Sequence, residues 1–212
     1  LRGVCLVVVA NVIQLVEVID HDGGRLTQAL GRAVAQPVEA LDAGAVAEVK
    51  MGDRVEGKLG ADADANVALI RATFLAEVEA LSPRNEIEAQ RKTLMGLAGD
   101  ADWVFDLHCD SEAVLHLFIG THLWPEMADL SAQMGSQATM LEIDSGGGSF
   151  DEAFSRPWWT LAQRFGDQFP ISFACLSATV ELRGTADVGD HFNARDADNL
   201  LRYLQRRGVV SG

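Results

Sequence analysis

The sequence predicts an α/β fold: a three-layer αβα domain whose helices cover both faces of a mixed, mostly parallel sheet. Short apolar runs of strand length alternate along the chain with longer segments in which apolar residues recur at every third or fourth position. The strongest run, Leu6–Ala10, is continuous and rich in β-branched residues, as in a strand covered on both faces. No linker or internal repeat divides the 212 residues, so we predict a single domain over residues 1–212.

Each further element follows from its own local pattern. Residues 66–81 form the clearest predicted helix, because Ile70, Phe74 and Val78 recur at helical spacing. Pro125 suits the first turn of a helix, where its missing N–H costs nothing, whereas Pro157 must be accommodated inside one. The predicted helices are residues 26–35 (weakly), 66–81, 86–97, 125–134, 150–165 and 196–207, and the predicted strands are residues 6–10, 103–107, 113–119, 139–143, 171–175 and 178–182.

Composition and charge limit the classes of partner. The hydrophobic fraction of 48% and the charged fraction of 23% are ordinary for a globular protein. A formal net charge of −14 repels phosphates and anionic lipids, so nucleic acid and membrane surfaces are disfavoured as partners. The apolar stretch near the start is interrupted by Glu17 and is too short to span a membrane. The three cysteines form no CxxC pair, which favours neither a disulfide framework nor a cysteine zinc site and suits a cytoplasmic location.

Two predicted strands end in polar clusters, at the sheet edge where open α/β folds bind ligands. In the first cluster, His108 is flanked by Asp106 and Asp110. A neutral imidazole suits Zn²⁺, and a nearby carboxylate can accept its other N–H. The alternative is a histidine satisfied by a local hydrogen bond. In the second cluster, Glu181 lies on an apolar strand, where a carboxylate is costly to bury unless it is paired or functional. Arg183, two residues on, is expected on the same face, so the pair is either structural or catalytic.

Other polar groups are weaker candidates. The segment Ser-Gly-Gly-Gly-Ser at 145–149 precedes a helix and could hold an anion, but it lacks the lysine and spacing of a P-loop, which favours a plain turn. His116 alternates with leucines and is predicted to be structural, and His122 is predicted to lie on a surface loop. His21 and Asp22 are predicted to form a turn.

At these two clusters the sequence resembles the succinylglutamate desuccinylase/aspartoacylase family, a branch of the zinc carboxypeptidase fold. The resemblance covers about two thirds of the chain, from Asn66 to Arg207, and follows the order of the predicted elements. The strings that carry it are Asp-Leu-His-Cys-Asp-Ser-Glu-Ala at 106–113, Leu-Trp-Pro at 123–125, Ser-Gly-Gly at 145–147, Phe-Asp-Glu-Ala at 150–153 and Ala-Thr-Val-Glu-Leu-Arg-Gly at 178–184.

The resemblance implies a zinc-dependent deacylase that cleaves the amide bond of an N-acyl amino acid or a similar small amide. It implies one Zn²⁺ held by a His-x-x-Glu pair and by a later histidine, which corresponds to His108. Glu181 corresponds to the carboxylate that takes a proton from the zinc-bound water and passes it to the leaving amine. Asp106 and Asp110 would then support His108, and Arg183 would bind substrate.

The sequence also departs from the family pattern. No His-x-x-Glu occurs in the chain, and we expect that pair upstream of Leu1, with a β-rich domain after residue 212. The substrate-holding Asn-x-x-Arg segment has no counterpart between residues 15 and 65. We therefore interpret the chain as a fragment, a truncated product or a degenerate paralogue. The alternative function is an inactive relative that binds a small acidic ligand or a partner protein. Loss of a domain edge would expose apolar surface, which is compatible with a homodimer.

Overall fold

Among the residues that the structure describes, seven strands form one sheet. The computed structural model describes residues 51–145, 149–187 and 189–210, together with the backbone of three earlier strands. The strands are β1 (Leu6–Ala10), β2 (Leu15–Ile19), β3 (Arg25–Ala29), β4 (Trp103–Asp110), β5 (Leu115–Gly120), β6 (Ala138–Glu142) and β7 (Leu176–Gly184). They lie in the order β3-β2-β1-β4-β7-β5-β6, so β4, β7 and β5 are neighbours at the centre.

The sheet is mixed, as predicted. β1 pairs with β4 in parallel, and β5 pairs with β6 in parallel, whereas the β1–β2, β2–β3 and β5–β7 pairs are antiparallel. β4 and β7 also run parallel, because Leu176 N donates to Asp102 O at one end and Thr185 N donates to Asp110 O at the other, each at 2.8 Å. The two polar clusters predicted from the sequence therefore follow adjacent parallel strands and end at the same edge of the sheet.

The chain forms two compact units. The first unit comprises Leu1–Ala35, Trp103–Ile143 and Ser177–Gly212, and the second comprises Gln36–Asp102 and Asp144–Leu176. The first contains the sheet together with helices α3 (Trp124–Met134) and α5 (Asp190–Arg206). The second contains α1 (Ala63–Glu79), α2 (Glu86–Ala98) and α4 (Phe150–Phe165), and residues 51–55 are also helical. That residues 1–212 form a single domain stays a prediction.

Each unit has its own aromatic core. In the first, Tyr203 of α5 is fully buried and its ring centroid lies 5.6 Å from Trp103 and 6.1 Å from Phe105, both on β4. In the second, Phe74 of α1 packs against Phe154 of α4 with ring centroids 5.7 Å apart. Because Trp103 and Phe105 face α5, residues at even positions of β4 face the opposite side of the sheet. That opposite side carries Asp106 and His108.

Local signals explain where the helices begin and end. The Asp62 carboxylate accepts from Asp64 N and Ala65 N at the start of α1, and the Asn85 side chain accepts from Glu88 N at the start of α2. Pro125 lies in the first turn of α3, as predicted, and α3 ends at Gly135 in the left-handed conformation. None of the described helices has the length and apolar character needed to cross a bilayer.

Two predicted elements are wrong. Arg25–Ala29 forms a strand paired with β2, although residues 26–35 were expected to be helical, because hairpin pairing overrides a weak helical pattern. Residues 171–175 were expected to form a strand and are irregular. Side chains of α1 bind the backbone of this segment instead: Asn66 Nδ2 donates to Pro170 O, and Arg71 Nη2 donates to Ala174 O at 2.6 Å.

Candidate active site

Three central strands bring ionisable side chains together on the face of the sheet opposite α5. His108 on β4 and Glu181 on β7 lie side by side, with His108 Nδ1 3.9 Å from Glu181 Oε1. His116 on β5 is the cross-strand partner of Glu181 in the antiparallel ladder, so the two side chains emerge on the same face. Glu181 therefore lies between two histidines that belong to the two neighbouring strands.

His108 is held by one of its two flanking carboxylates. Its Nε2 lies 2.8 Å from Asp106 Oδ2, and the Asp106 side chain is only 8% exposed. With its Nε2 proton bound by Asp106, a neutral imidazole keeps its lone pair on Nδ1, the nitrogen that faces Glu181. This carboxylate–histidine pairing is the arrangement that orients metal-ligating histidines in proteins.

Asp110, the other flanking carboxylate, has a different set of contacts. It is exposed, and its Oδ1 accepts from Ser111 N at 2.6 Å. Its backbone oxygen accepts from Thr185 N and so joins the ends of β4 and β7. The structure thus places Asp106 in contact with His108, whereas Asp110 acts on the site through its charge and through the strand end.

The Glu181 carboxylate is buried without full compensation. Its side chain is 14% exposed, and its Oε2 atom is buried with no hydrogen-bond partner among the described residues. Burial raises the pKa of the Glu181 carboxyl above its usual range, and the charges of Asp110 and Asp106 raise it further, against the lowering effect of His108 and His116. A carboxylate with a raised pKa in such a place is suited to accept and return a proton.

His116 is the residue of this site that sequence reasoning missed. It is buried, its Nδ1 lies 2.9 Å from Val114 O, and its ring contacts Phe118 edge-on. The prediction of a structural histidine agrees with the contact to Val114 O, but the register of β5 on β7 also places His116 opposite Glu181. Its only sequence signal was a polar residue between leucines, because register cannot be read from a single strand.

The expectation that Arg183 lies on the same face as Glu181 is wrong. Arg183 Nη2 instead binds Asp196 Oδ2 on α5, and the guanidinium lies 4.6 Å from the ring centroid of Phe192. Strand alternation predicted that residues 181 and 183 share a face, but Arg183 has a φ of 86°, and this left-handed conformation breaks the alternation. Glu181 therefore has no arginine partner of the kind expected, and Arg183 lies on the α5 side of the sheet.

The remaining sequence candidates contribute little here. Ser145 donates from its backbone N and its Oγ to the Glu152 carboxylate, at 2.6 and 2.7 Å. This carboxylate at the start of α4 opposes an anion beside Ser145. Residues 146–148 of the segment lie outside the described residues, so the plain turn stays a prediction. His122 lies in a short 3₁₀ turn, Thr121–Leu123, and is half-buried. His21 and Asp22 lie outside the described residues.

The described residues supply one suitable zinc ligand but not a complete zinc site. No group of three or more His, Cys, Asp or Glu residues converges as metal ligands anywhere in the part of the chain that the structure describes. His108, with Nε2 held by Asp106 and Nδ1 toward Glu181, has the chemistry of a single zinc ligand. Further ligands would have to come from residues outside this set.

Comparison with known proteins identifies the fold. No family model and no curated protein matches the chain. A solved structure of a succinylglutamate desuccinylase/aspartoacylase family protein from Shewanella amazonensis SB2B matches with a TM-score of 0.72 at 23% identity, covering 100% of this chain and 67% of that chain. A second solved structure, of a succinylglutamate desuccinylase/aspartoacylase from Shewanella frigidimarina NCIMB 400, matches with a TM-score of 0.70 at 19% identity. This match covers 100% of this chain and 66% of that chain.

The structural neighbours thus belong to the family that the motifs resemble, and this chain spans about two thirds of their length. The α/β fold class with a mixed sheet, predicted from the sequence and implied by the resemblance, is confirmed. The roles assigned to His108, Glu181 and Arg183 remain predictions, since this likeness concerns the fold.

The buried charge of Glu181 predicts a stability change for Glu181→Gln in the metal-free chain. A carboxyl whose pKa is raised by folding stabilises the fold most at low pH, and this contribution is lost as pH rises through the folded-state pKa. Gln has no charge to bury, so the variant should melt above the wild type at pH 7–8, and the difference should vanish near pH 4. Thermal unfolding across this range tests it, with Glu112→Gln, at an exposed position, as the matched control. A variant that melts below the wild type at pH 7–8 would contradict it.

Proposed function

We propose that this chain carries part of the catalytic core of a zinc-dependent amide hydrolase, a deacylase that releases a carboxylate and an amine from an N-acyl amino acid or similar small amide. The observation that carries the proposal is the position of Glu181 beside the Asp106–His108 pair, with its Oε2 buried and without a hydrogen-bond partner in the part of the chain that the structure describes. The fold shared with solved succinylglutamate desuccinylase/aspartoacylase proteins supports it. The same proposal includes an N-acyl small molecule as the substrate and a homodimer as the assembly.

The side chains divide the work of hydrolysis between them. Glu181 accepts a proton from the attacking water and returns it to the amide nitrogen as the carbon–nitrogen bond breaks, so the proton balance closes on one carboxylate. Because the pKa of the Glu181 carboxyl is raised, this group can hold the proton between its acceptance from water and its donation to the amide nitrogen. Asp106 holds the His108 ring and its tautomer. His108 would contribute Nδ1 to a Zn²⁺ ion, which when bound polarises the scissile carbonyl and lowers the pKa of water.

The partial ligand set predicts weak zinc binding by the 212-residue chain. One imidazole with an orienting carboxylate supplies at most one strong ligand, whereas catalytic zinc sites use three protein ligands and a water. After dialysis against metal-free buffer, elemental analysis should find well under one zinc per chain, and His108→Ala should not lower it measurably. A full equivalent of zinc that survives dialysis and is lost in His108→Ala would mean that the chain supplies further ligands.

The proton-transfer role predicts the effect of Glu181→Gln on turnover, assayed on a longer chain that supplies the remaining ligands. The variant keeps the size of the side chain but cannot accept a proton, so kcat should fall by about 10²–10⁴ with zinc content unchanged. Glu112→Gln is the matched control and should retain turnover.

Two results would oppose this role for Glu181. A fully active Glu181→Gln enzyme would remove Glu181 from the chemistry. A longer chain that binds zinc yet shows no amide hydrolysis with any N-acyl amino acid tested would favour the alternative function, a non-catalytic scaffold that binds a small ligand or a partner protein.

A further inference from the structure

β7 contains a bulge immediately after Glu181. Leu176 N bonds to Asp102 O, and Thr185 N bonds to Asp110 O, but the interval from Leu176 to Thr185 is one residue longer than the interval from Asp102 to Asp110. One residue of β7 is therefore extra relative to β4. Arg183 is the non-glycine residue with positive φ within this interval, at 86°, which identifies the position of the bulge.

The bulge decides the face on which Arg183 lies. Without it, residues 181 and 183 would emerge on the same side of the sheet, because strand alternation has a period of two. With it, Glu181 faces His108 while Arg183 contacts Asp196 and Phe192, which belong to α5 on the other side. The cation nearest in sequence to Glu181 is thereby kept away from its carboxylate.

Contacts with α5 hold this unfavourable backbone conformation. A left-handed φ is disfavoured for arginine, so the surrounding structure must stabilise it. The side chains of Arg183 and Asp196 are only 10% and 8% exposed, and they form an ion pair. Phe192 stacks on the Arg183 guanidinium, and Arg195 lies 3.7 Å from the other Asp196 oxygen. Asp196 is the buried anion that this arrangement requires.

We propose that Asp196 is a positioning residue for Glu181: by holding the Arg183 guanidinium on the α5 side of the sheet, it prevents that cation from pairing with the Glu181 carboxylate. Glu181 offers an alternative partner, because its Oε2 is buried and unbonded. If Asp196 lost its charge, Arg183 could regain a strand conformation and join Glu181 on the same face. A guanidinium there would neutralise the carboxylate as a base. The consequence for catalysis rests on the proposed function, whereas the structural consequence does not.

The test is Asp196→Asn, which keeps shape and removes charge, with Asp198→Asn as the matched control. Asp198 is on the same helix and forms an exposed ion pair with Arg202. In a crystal structure of Asp196→Asn, the Arg183 guanidinium should move from Phe192 to within hydrogen-bond distance of Glu181, with negative φ at residue 183. The control should leave both unchanged. If Arg183 keeps its positive φ and its place on Phe192 in Asp196→Asn, the proposal is overturned.

Kinetics on the longer, zinc-loaded chain separate positioning from a merely structural role. Asp196→Asn should lower kcat at least tenfold in molecules that remain folded, with little change in KM, and Asp196→Glu should restore part of the loss. Unchanged kcat in a destabilised protein would assign Asp196 a structural role only and overturn the proposal. If the longer chain without the substitution has no hydrolase activity, the proposed function fails, while the crystal structure of the variant still decides where Arg183 goes.

Two double variants decide the question if Asp196→Asn does not fold. Arg183→Gly with Asp196→Asn removes the cation and supplies a residue that tolerates positive φ, so it should fold with Glu181 still beside His108. Arg183→Ala with Asp196→Asn removes the same charges but disfavours positive φ. If the pair holds residue 183 in the left-handed conformation, residue 183 returns to negative φ without it, and this variant should melt no lower than the glycine variant. An alanine variant that melts roughly 2–8 °C below the glycine variant would show that residue 183 keeps its positive φ without the pair and would overturn the proposal. Failure of both variants to fold would assign the pair a structural role only and would also overturn it.

Discussion

The parallel pairing of β4 with β7 is the constraint on which the candidate site depends. It aligns two strands that are distant in sequence so that His108 and Glu181 meet at the same edge of the sheet. Strand β5 pairs in antiparallel orientation with the other edge of β7 and places His116 opposite Glu181. Neither histidine would share a face with the glutamate if β7 shifted by one residue, because a one-residue slip moves every side chain of a strand to the other face.

The buried charge of Glu181 destabilises the folded state. A carboxylate in a mostly buried position with one unbonded oxygen is expensive, and the two aspartates nearby make its charge less favourable still. Arg183 and Asp196, also buried in the first unit, form an ion pair, although Arg183 Nε and Nη1 and Asp196 Oδ1 have no hydrogen-bond partner among the described residues. Glu181 lies at the strand end where α/β folds bind ligands, and a costly buried group at such a place is the pattern expected where a protein retains it for function.

Much of the fold was predictable from sequence because its signals are local. The apolar periodicity of α1 and the proline at the start of α3 fixed those helices within a few residues. The wrong elements depend on partners distant in sequence: β3 forms through its pairing with β2, and the segment at 171–175 is held by Asn66 and Arg71 of α1. At the site, residue type left His108 and Glu181 open between a structural and a functional role, and the resemblance to the family favoured the functional one. Three other features of the site depend on strand register or on the φ angle of Arg183, which no sequence pattern shows. They are the contact of His108 with Asp106 rather than Asp110, the position of His116 opposite Glu181, and the position of Arg183 on the α5 side of the sheet.

The central claim is that His108, oriented by Asp106, presents Nδ1 to a metal ion beside the proton-transferring Glu181. Anomalous diffraction at the zinc edge, on crystals of a zinc-loaded longer chain, tests it most directly. We expect a zinc peak roughly 2.0–2.1 Å from His108 Nδ1, with Asp106 retained on Nε2 and Glu181 outside the ligand set. Zinc bound through Nε2 with Asp106 displaced, or zinc bound away from His108, would contradict it.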